Sequence, residues 1–274
     1  MKKYLICVDS DGCVMDTMTV KHEKCFGPCM VELWQLDEWR KEILEKWDYV
    51  NLFSMTRGIN RFKGLALALR EIDGKYKRIE GVEALEAWVE SSPALSNDAL
   101  SRAIEACKDG NGKACLEQAL EWSVNVNKAI DSLPEEEKLP FEGALEGLKA
   151  AHEVADIAVV SSANRKAVED EWGLHGLLEH TDYVMCQDNG SKADCIKLMC
   201  DMGYEPKKII MVGDAPGDLD AEVKNGVGYF PILVNREIES WEELIDVGLP
   251  ALITGSFGGE YQARLIEKFR ENLK

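Results

Sequence analysis

Asp9 and Asp11, in the run Asp9-Ser10-Asp11-Gly12, stand where the apolar, β-prone residues 4–8 stop. Side chains two apart on an extended chain share a face, so both carboxylates are expected to address one site. Like charges that close are costly unless a cation or a shared proton relieves them. Further along, apolar runs end in Ser161-Ser162-Ala163-Asn164 and in Gly213-Asp214-Ala215-Pro216-Gly217-Asp218, and Lys192 opens an amphipathic stretch. A hard divalent cation such as Mg²⁺ takes oxygen ligands, commonly one or two carboxylates with water, backbone carbonyl and phosphate supplying the rest. Asp9 and Asp214 are the natural carboxylate pair, with the Asp11 carbonyl as a third protein ligand and Asp218, four residues past Asp214, reaching the same side to act through a water or to support the ligands from behind. With repulsion offset, Asp9 can attack phosphorus and Asp11 can protonate the leaving oxygen. Ser161, Ser162 and Lys192 would then hold the phosphoryl oxygens.

These residues need a scaffold that brings strand ends together. After the opening strand, residues 17–140 show almost only helical periodicity, with candidate helices at 17–32, 36–49, 59–72, 82–91, 98–108 and 113–132. Asp73-Gly74, Ser91-Ser92-Pro93, Asp109-Gly110-Asn111-Gly112 and Leu133-Pro134 punctuate them. From residue 141 the pattern alternates. Strands are expected at 156–160, 183–186, 208–212 and 228–234, with helices at 142–152, 165–172, 191–202 and 216–225. Short apolar strands alternating with amphipathic helices indicate a parallel sheet covered on both faces. The first strand finds partners only in the second half of the chain. The expectation is therefore an α/β core from residues 1–16 and 141–274, interrupted by an all-helical domain at 17–140. In such sheets ligands collect beyond the carboxyl ends of the strands, where all the residues above fall.

The chain has 274 residues, enough for a sizeable core, with 32 basic against 50 acidic side chains and a net charge of −18. That balance disfavours nucleic acid or an anionic membrane surface as the partner, so an anionic substrate must be met by local cations or a metal ion. No apolar run is long enough to cross a bilayer, and the expected location is cytoplasmic. Nine cysteines without regular spacing, several inside apolar runs, argue against disulfides.

The ordered set Asp9-Ser10-Asp11-Gly12, Ser161 after an apolar strand, Lys192, and Gly213-Asp214 to Asp218 resembles the four motifs of the haloacid dehalogenase superfamily of aspartate-nucleophile phosphohydrolases. The resemblance covers the whole α/β part and implies a Rossmann-like core, Mg²⁺ and a phosphoaspartyl intermediate on Asp9. The helical insertion is similar in position to the C1 cap of phosphoglycolate phosphatase and β-phosphoglucomutase relatives, which implies opening and closing over the substrate. Cys13 departs from the family pattern, where threonine or valine is commoner, and the insertion is longer than the usual cap. Haloacid dehalogenases lack the second aspartate and phosphonatases usually replace it with a small residue, so Asp11 argues for phosphate esters. The expected function is hydrolysis of a small phosphorylated metabolite. A phosphomutase, or an idle member that binds a phosphorylated ligand, stands as the alternative.

Weaker signals read mostly as structure. Within Ser54 to Gly64, Arg57 is the one cation singled out to clamp a second substrate group through its planar fork. Asn164 is read as a helix cap. His22, Cys25 and Cys29 share helical spacing but show no fourth metal ligand, and the tryptophans at 34, 39, 47 and 88 are read as helix-packing residues. The tail from residue 235 is expected to form two helices without chemistry.

Overall fold

The computed structural model describes residues 1–274. The chain opens with β1 (Tyr4–Val8). At residues 18 and 19 it passes from one compact unit, Met1–Met18 with Pro134–Lys274, into a second, Thr19–Leu133.

The second unit is all helix: α1 (Met18–Lys21) at its edge, a π-helical turn (His22–Phe26), α2 (Gly27–Leu33), α3 (Arg40–Leu52), α4 (Arg61–Lys75), α5 (Val82–Ser91), α6 (Asn97–Ala106) and α7 (Gly110–Asp131). The helix expected over 17–32 runs on without a break from Met18 to Leu33, widened into the π-helical turn just ahead of Pro28, which has no N–H to donate. The Gly27 N–H reaches back five residues to the His22 carbonyl. Aromatic packing holds this unit together. Trp47 and Trp122 meet edge-on with centroids 6.1 Å apart, and the Trp122 indole N–H donates to the Phe26 carbonyl at 3.1 Å. His22 stacks on Phe26 and accepts the Trp47 indole N–H at 3.1 Å, so its ring serves packing.

In the first unit the order is α8 (Ala144–Val154), β2 (Ala155–Val160), α9 (Arg165–Leu174), β3 (Tyr183–Met185), α10 (Lys192–Asp201), β4 (Ile209–Gly213), α11 (Pro216–Asn225) and β5 (Gly228–Pro231). Then come α12 (Glu237–Glu243), a π-helical turn (Leu244–Gly248), α13 (Leu249–Thr254) and α14 (Gly259–Asn272). The strands form one parallel sheet in the order β3-β2-β1-β4-β5. Successive strand residues point to opposite faces, and Leu5, Ile6, Cys7 and Val8 are all buried, so both faces of β1 are covered. Val8 pairs with Val159 on one side and Val212 on the other, and Val160 pairs with Met185. The registers therefore bring the carboxyl ends of the central strands to one level. Ile6, Val8, Val159, Val212, Phe230 and Trp172 belong to the apolar cluster beneath that level.

Candidate active site

Asp9 follows the last residue of β1, and its N–H still pairs with the Val212 carbonyl at 2.9 Å. Strand alternation stops there. The Ser10 carbonyl accepts the N–H groups of Cys13, Val14 and Met15 at 3.2, 3.0 and 2.9 Å, and Gly12 adopts φ 83°, a left-handed conformation that favours glycine. The chain thus coils around Ser10, where extended geometry was expected to carry Asp9 and Asp11 to one face. Asp11 is half-buried, and its Oδ1 accepts the Thr17 hydroxyl.

Asp9 is only 5% exposed, Asp214 just past β4 is 1% exposed, and Asp218 in the first turn of α11 is fully buried. One carboxylate oxygen from each lies within 4.8 Å of the others. Lys192, the first residue of α10, places Nζ 2.6 Å from Asp9 Oδ2 and 2.6 Å from Asp218 Oδ1. A lysine at a helix N-terminus opposes the helix dipole. Its two carboxylate partners explain why it is there. The Ser10 N–H donates to Asp9 Oδ1 at 2.8 Å, and the Ala215 N–H donates to Asp218 Oδ2 at 3.1 Å. Burial pushes the Asp9 carboxyl well above the usual range; Lys192 pulls it down, while Asp218 and Asp214 push it up again. Burial works against the Lys192 ammonium, but Asp218 and Asp9 outweigh it and raise its pKa.

Three carboxylates against one ammonium leave a surplus of negative charge in a buried, all-oxygen cluster. That donor set fits a hard divalent cation such as Mg²⁺. Asp218 shares Lys192 directly with Asp9.

Ser161, the first residue beyond β2, is buried; its N–H donates to the Met185 carbonyl at 3.0 Å and its Oγ accepts the Ala163 N–H at 3.1 Å. Ser162 is exposed on the same loop. Asn164 caps α9, its Oδ1 accepting the Lys166 N–H at 2.9 Å. Arg57 belongs to the helical unit, where it is buried and Nη1 donates to the Leu52 carbonyl at 2.8 Å.

Several supporting residues carried no signal in the sequence. Arg165 donates to Asp188 Oδ2 at 2.9 Å, to Asn189 Oδ1 at 2.7 Å and to the Val184 carbonyl at 2.7 Å, fixing the loop ahead of Lys192. The Tyr229 hydroxyl donates to the Gly213 carbonyl at 3.1 Å beside Asp214. The indole N–H groups of Trp172 and Trp241 donate to Ser10 Oγ at 2.9 Å and to the Cys13 carbonyl at 3.3 Å. A buried indole N–H needs an acceptor, but nothing in a linear chain says which one.

Residues 95–231 match the family model described as haloacid dehalogenase-like hydrolase. The chain belongs to that family. The matched span holds Ser161, Lys192, Asp214 and Asp218, and the Asp9 loop lies ahead of it. Among solved structures, this family member is similar to a candidate phosphoglycolate phosphatase from Lactobacillus delbrueckii subsp. bulgaricus, at 16% identity and TM-score 0.50 over 84% of this chain and 85% of that one. It is also similar to a haloacid dehalogenase-like hydrolase from Streptococcus pneumoniae, at 12% identity and TM-score 0.45 over 87% and 90% of the two chains. A defluorinating L-2-haloacid dehalogenase aligns at 13% identity and TM-score 0.43 over 85% and 82%. At such identities the likeness concerns the fold. No curated protein sequence matches this hydrolase. No helix in it is long and apolar enough to cross a membrane.

Proposed function

We propose that this hydrolase is a Mg²⁺-dependent phosphatase that cleaves a small phosphorylated metabolite through an aspartyl-phosphate on Asp9. One arrangement carries the reading: at the level carboxyl ends of parallel strands, the Asp9 carboxylate meets Lys192 at 2.6 Å, within a cluster completed by Asp214 and Asp218. Asp9 and Asp214, with the Asp11 carbonyl, would hold the cation, and Asp218 would support it from beside Lys192. When bound, the ion offsets the surplus negative charge and draws charge from a phosphoryl oxygen.

The protein's own groups then divide the work. An ammonium has three N–H donors, and the third on Lys192 is aimed at a phosphoryl oxygen in this reading. The Ser161 hydroxyl donates to another. Asp9 attacks phosphorus, forming an O–P bond as the bond to the leaving alcohol breaks, and Asp11 gives that alcohol its proton. Asp11, now a carboxylate, takes a proton from water; the hydroxyl adds to phosphorus, phosphate departs and Asp9 is regenerated. Thr17, bonded to Asp11 Oδ1, steers the proton carrier.

The test is a screen of phosphorylated sugars, glycolate, nucleotides and cofactors for phosphate release with Mg²⁺ and a chelator control. Asp9→Asn is expected to lower turnover at least about 10³-fold while leaving the fold intact by circular dichroism. Full activity in that variant would refute the assignment. Isomerised substrate with little free phosphate would replace the phosphatase by a phosphomutase.

A further inference from the structure

Behind Asp9 the hydrogen-bond network continues into the apolar core. Ser10 is 1% exposed, and its Oγ accepts the indole N–H of Trp172, a fully buried residue on α9 whose ring lies in the same apolar cluster as Val8 and Val159. In such surroundings each polar atom would be orphaned without the other. The Ser10 peptide is the element that orients the nucleophile. Its N–H holds Asp9 Oδ1 at 2.8 Å, and its carbonyl gathers the N–H groups of Cys13, Val14 and Met15. With Oδ2 held by Lys192 at 2.6 Å, the plane of the Asp9 carboxylate is fixed from both sides. A carboxylate torsion is otherwise broad and roughly two-fold, so this restraint has to come from the neighbours.

We infer that Trp172 is a positioning residue for Asp9, acting through Ser10: the indole N–H fixes the serine side chain, the serine peptide is thereby held, and its N–H sets the carboxylate. The kinetic part of the inference rests on Asp9 being the nucleophile of the proposed phosphatase. The hydrogen-bond part does not. Trp172 reaches no reacting atom, so its effect must appear in turnover rather than in substrate binding. Misplacing a reacting group by about 1 Å can slow a reaction about a hundredfold.

The test compares Trp172→Phe, Ser10→Ala and the double variant. Each single variant leaves one buried polar atom without its partner, whereas the double variant removes both, a change that is close to neutral for stability. The expected result is that each single variant lowers kcat about tenfold or more with KM within about twofold, and that the double variant recovers its urea midpoint without recovering kcat. Recovery of kcat together with stability, or unchanged kcat in both single variants, would overturn the inference in favour of simple packing. Amide hydrogen exchange over residues 9–15, read by mass spectrometry after peptic digestion, supplies a measurement that needs no substrate. It should quicken about tenfold in all three variants. If the wild-type chain releases phosphate from nothing in the screen, the phosphatase reading fails and exchange alone decides. Faster exchange then supports the clamp, and unchanged exchange refutes it.

Discussion

Gly213→Ala should disable the site by displacing Asp218. Gly213 ends β4, and a Cβ built on it would lie 2.3 Å from Asp218 Cγ, 2.4 Å from Oδ2 and 2.7 Å from Cβ. Ordinary contact begins near 3.4 Å, so the aspartate must retreat by roughly 1 Å. It has no slack for this, being held by Lys192 at 2.6 Å and by the Ala215 N–H at 3.1 Å. Moving away by that much takes the Ala215 N–H bond out of hydrogen-bonding range and stretches the Lys192 pair, weakening the hold on a fully buried charge. Overpacking costs about 1–3 kcal/mol, and with the ion pair stretched but not removed that range is the expectation. For a unit of this size that is about 2–12 °C in Tm.

Gly217, four residues on and in the first turn of α11, is the matched control, since a Cβ there meets no atom within 4 Å. Gly217→Ala should leave Tm unchanged or raise it slightly, alanine being the better helix former by up to about 1 kcal/mol. Calorimetry of both variants, with and without Mg²⁺, and phosphate release on the best substrate make the assay. If Gly213→Ala melts with wild type and turns over normally, Asp218 is not pinned between Lys192 and Ala215, and the electrostatic account of the site is wrong.

Lys192→Met removes the chief group holding the Asp9 carboxyl down against burial and its acidic neighbours. A carboxyl raised in the folded state favours folding at low pH, and that contribution is lost as pH rises from the unfolded value, about 3.9, through the folded one. The variant's unfolding free energy should fall furthest below wild type at high pH, by about 3–5 kcal/mol, and the gap should narrow as pH is lowered; a gap constant with pH would contradict the coupling. Gly147→Ala should dislodge Trp241, because a Cβ at 147 would lie 2.3 Å from its Cε3. The expected loss is about 1–3 kcal/mol with red-shifted tryptophan emission, and unchanged emission would show that the ring never packed on Gly147. Asn164→Ala should lose about 1 kcal/mol through its missing cap while KM stays put; a raised KM would instead give Asn164 a role at the phosphate.

Much of the site could be read from sequence because its residues stand where the character of the chain changes. Asp9, Ser161 and Asp214 each follow an apolar strand, and Lys192 begins a helix, so local pattern located them. Punctuation read less well where a polar side chain repaired the break. Asp73-Gly74 was expected to end a helix, yet α4 runs through Lys75, with the Asp73 carboxylate accepting the Ile79 N–H at 2.7 Å just beyond. Asp109-Gly110-Asn111-Gly112 was expected as a loop. Instead Asp109 caps α7 by accepting the Gly112 N–H at 2.6 Å, and Gly112 packs so closely that a Cβ would lie 2.8 Å from Ala84 Cβ. The tail was expected to pack without chemistry, and nothing in the sequence signalled that Trp241 on α12 would bond the Cys13 carbonyl across 228 residues of sequence. Partnerships of that kind depend on how elements pack, and periodicity records only that a face is apolar.

The buried acids of this site place opposite demands on one ammonium. At an effective dielectric of about 20, two unit charges at 4.8 Å, the limit within which these oxygens lie, repel by about 3–4 kcal/mol, and three carboxylates make three pairs at least that strong. Lys192, at 2.6 Å from two of them, returns about 6 kcal/mol per contact, which offsets their mutual repulsion in round terms. What it does not offset is the cost of taking three carboxylates out of water, and burial is accordingly the largest influence on Asp9. A phosphoryl dianion arriving alone would add to the negative surplus and find one N–H of Lys192 to meet it. Under the proposed mechanism, positive charge beyond that lysine is therefore a condition for a phosphoryl anion to enter, and the same condition would keep Asp9 ionised for attack. In the proposed mechanism, holding Asp9 still is a separate task, and the uncharged groups bonded toward it are the Ser10 peptide and, behind it, the indole of Trp172.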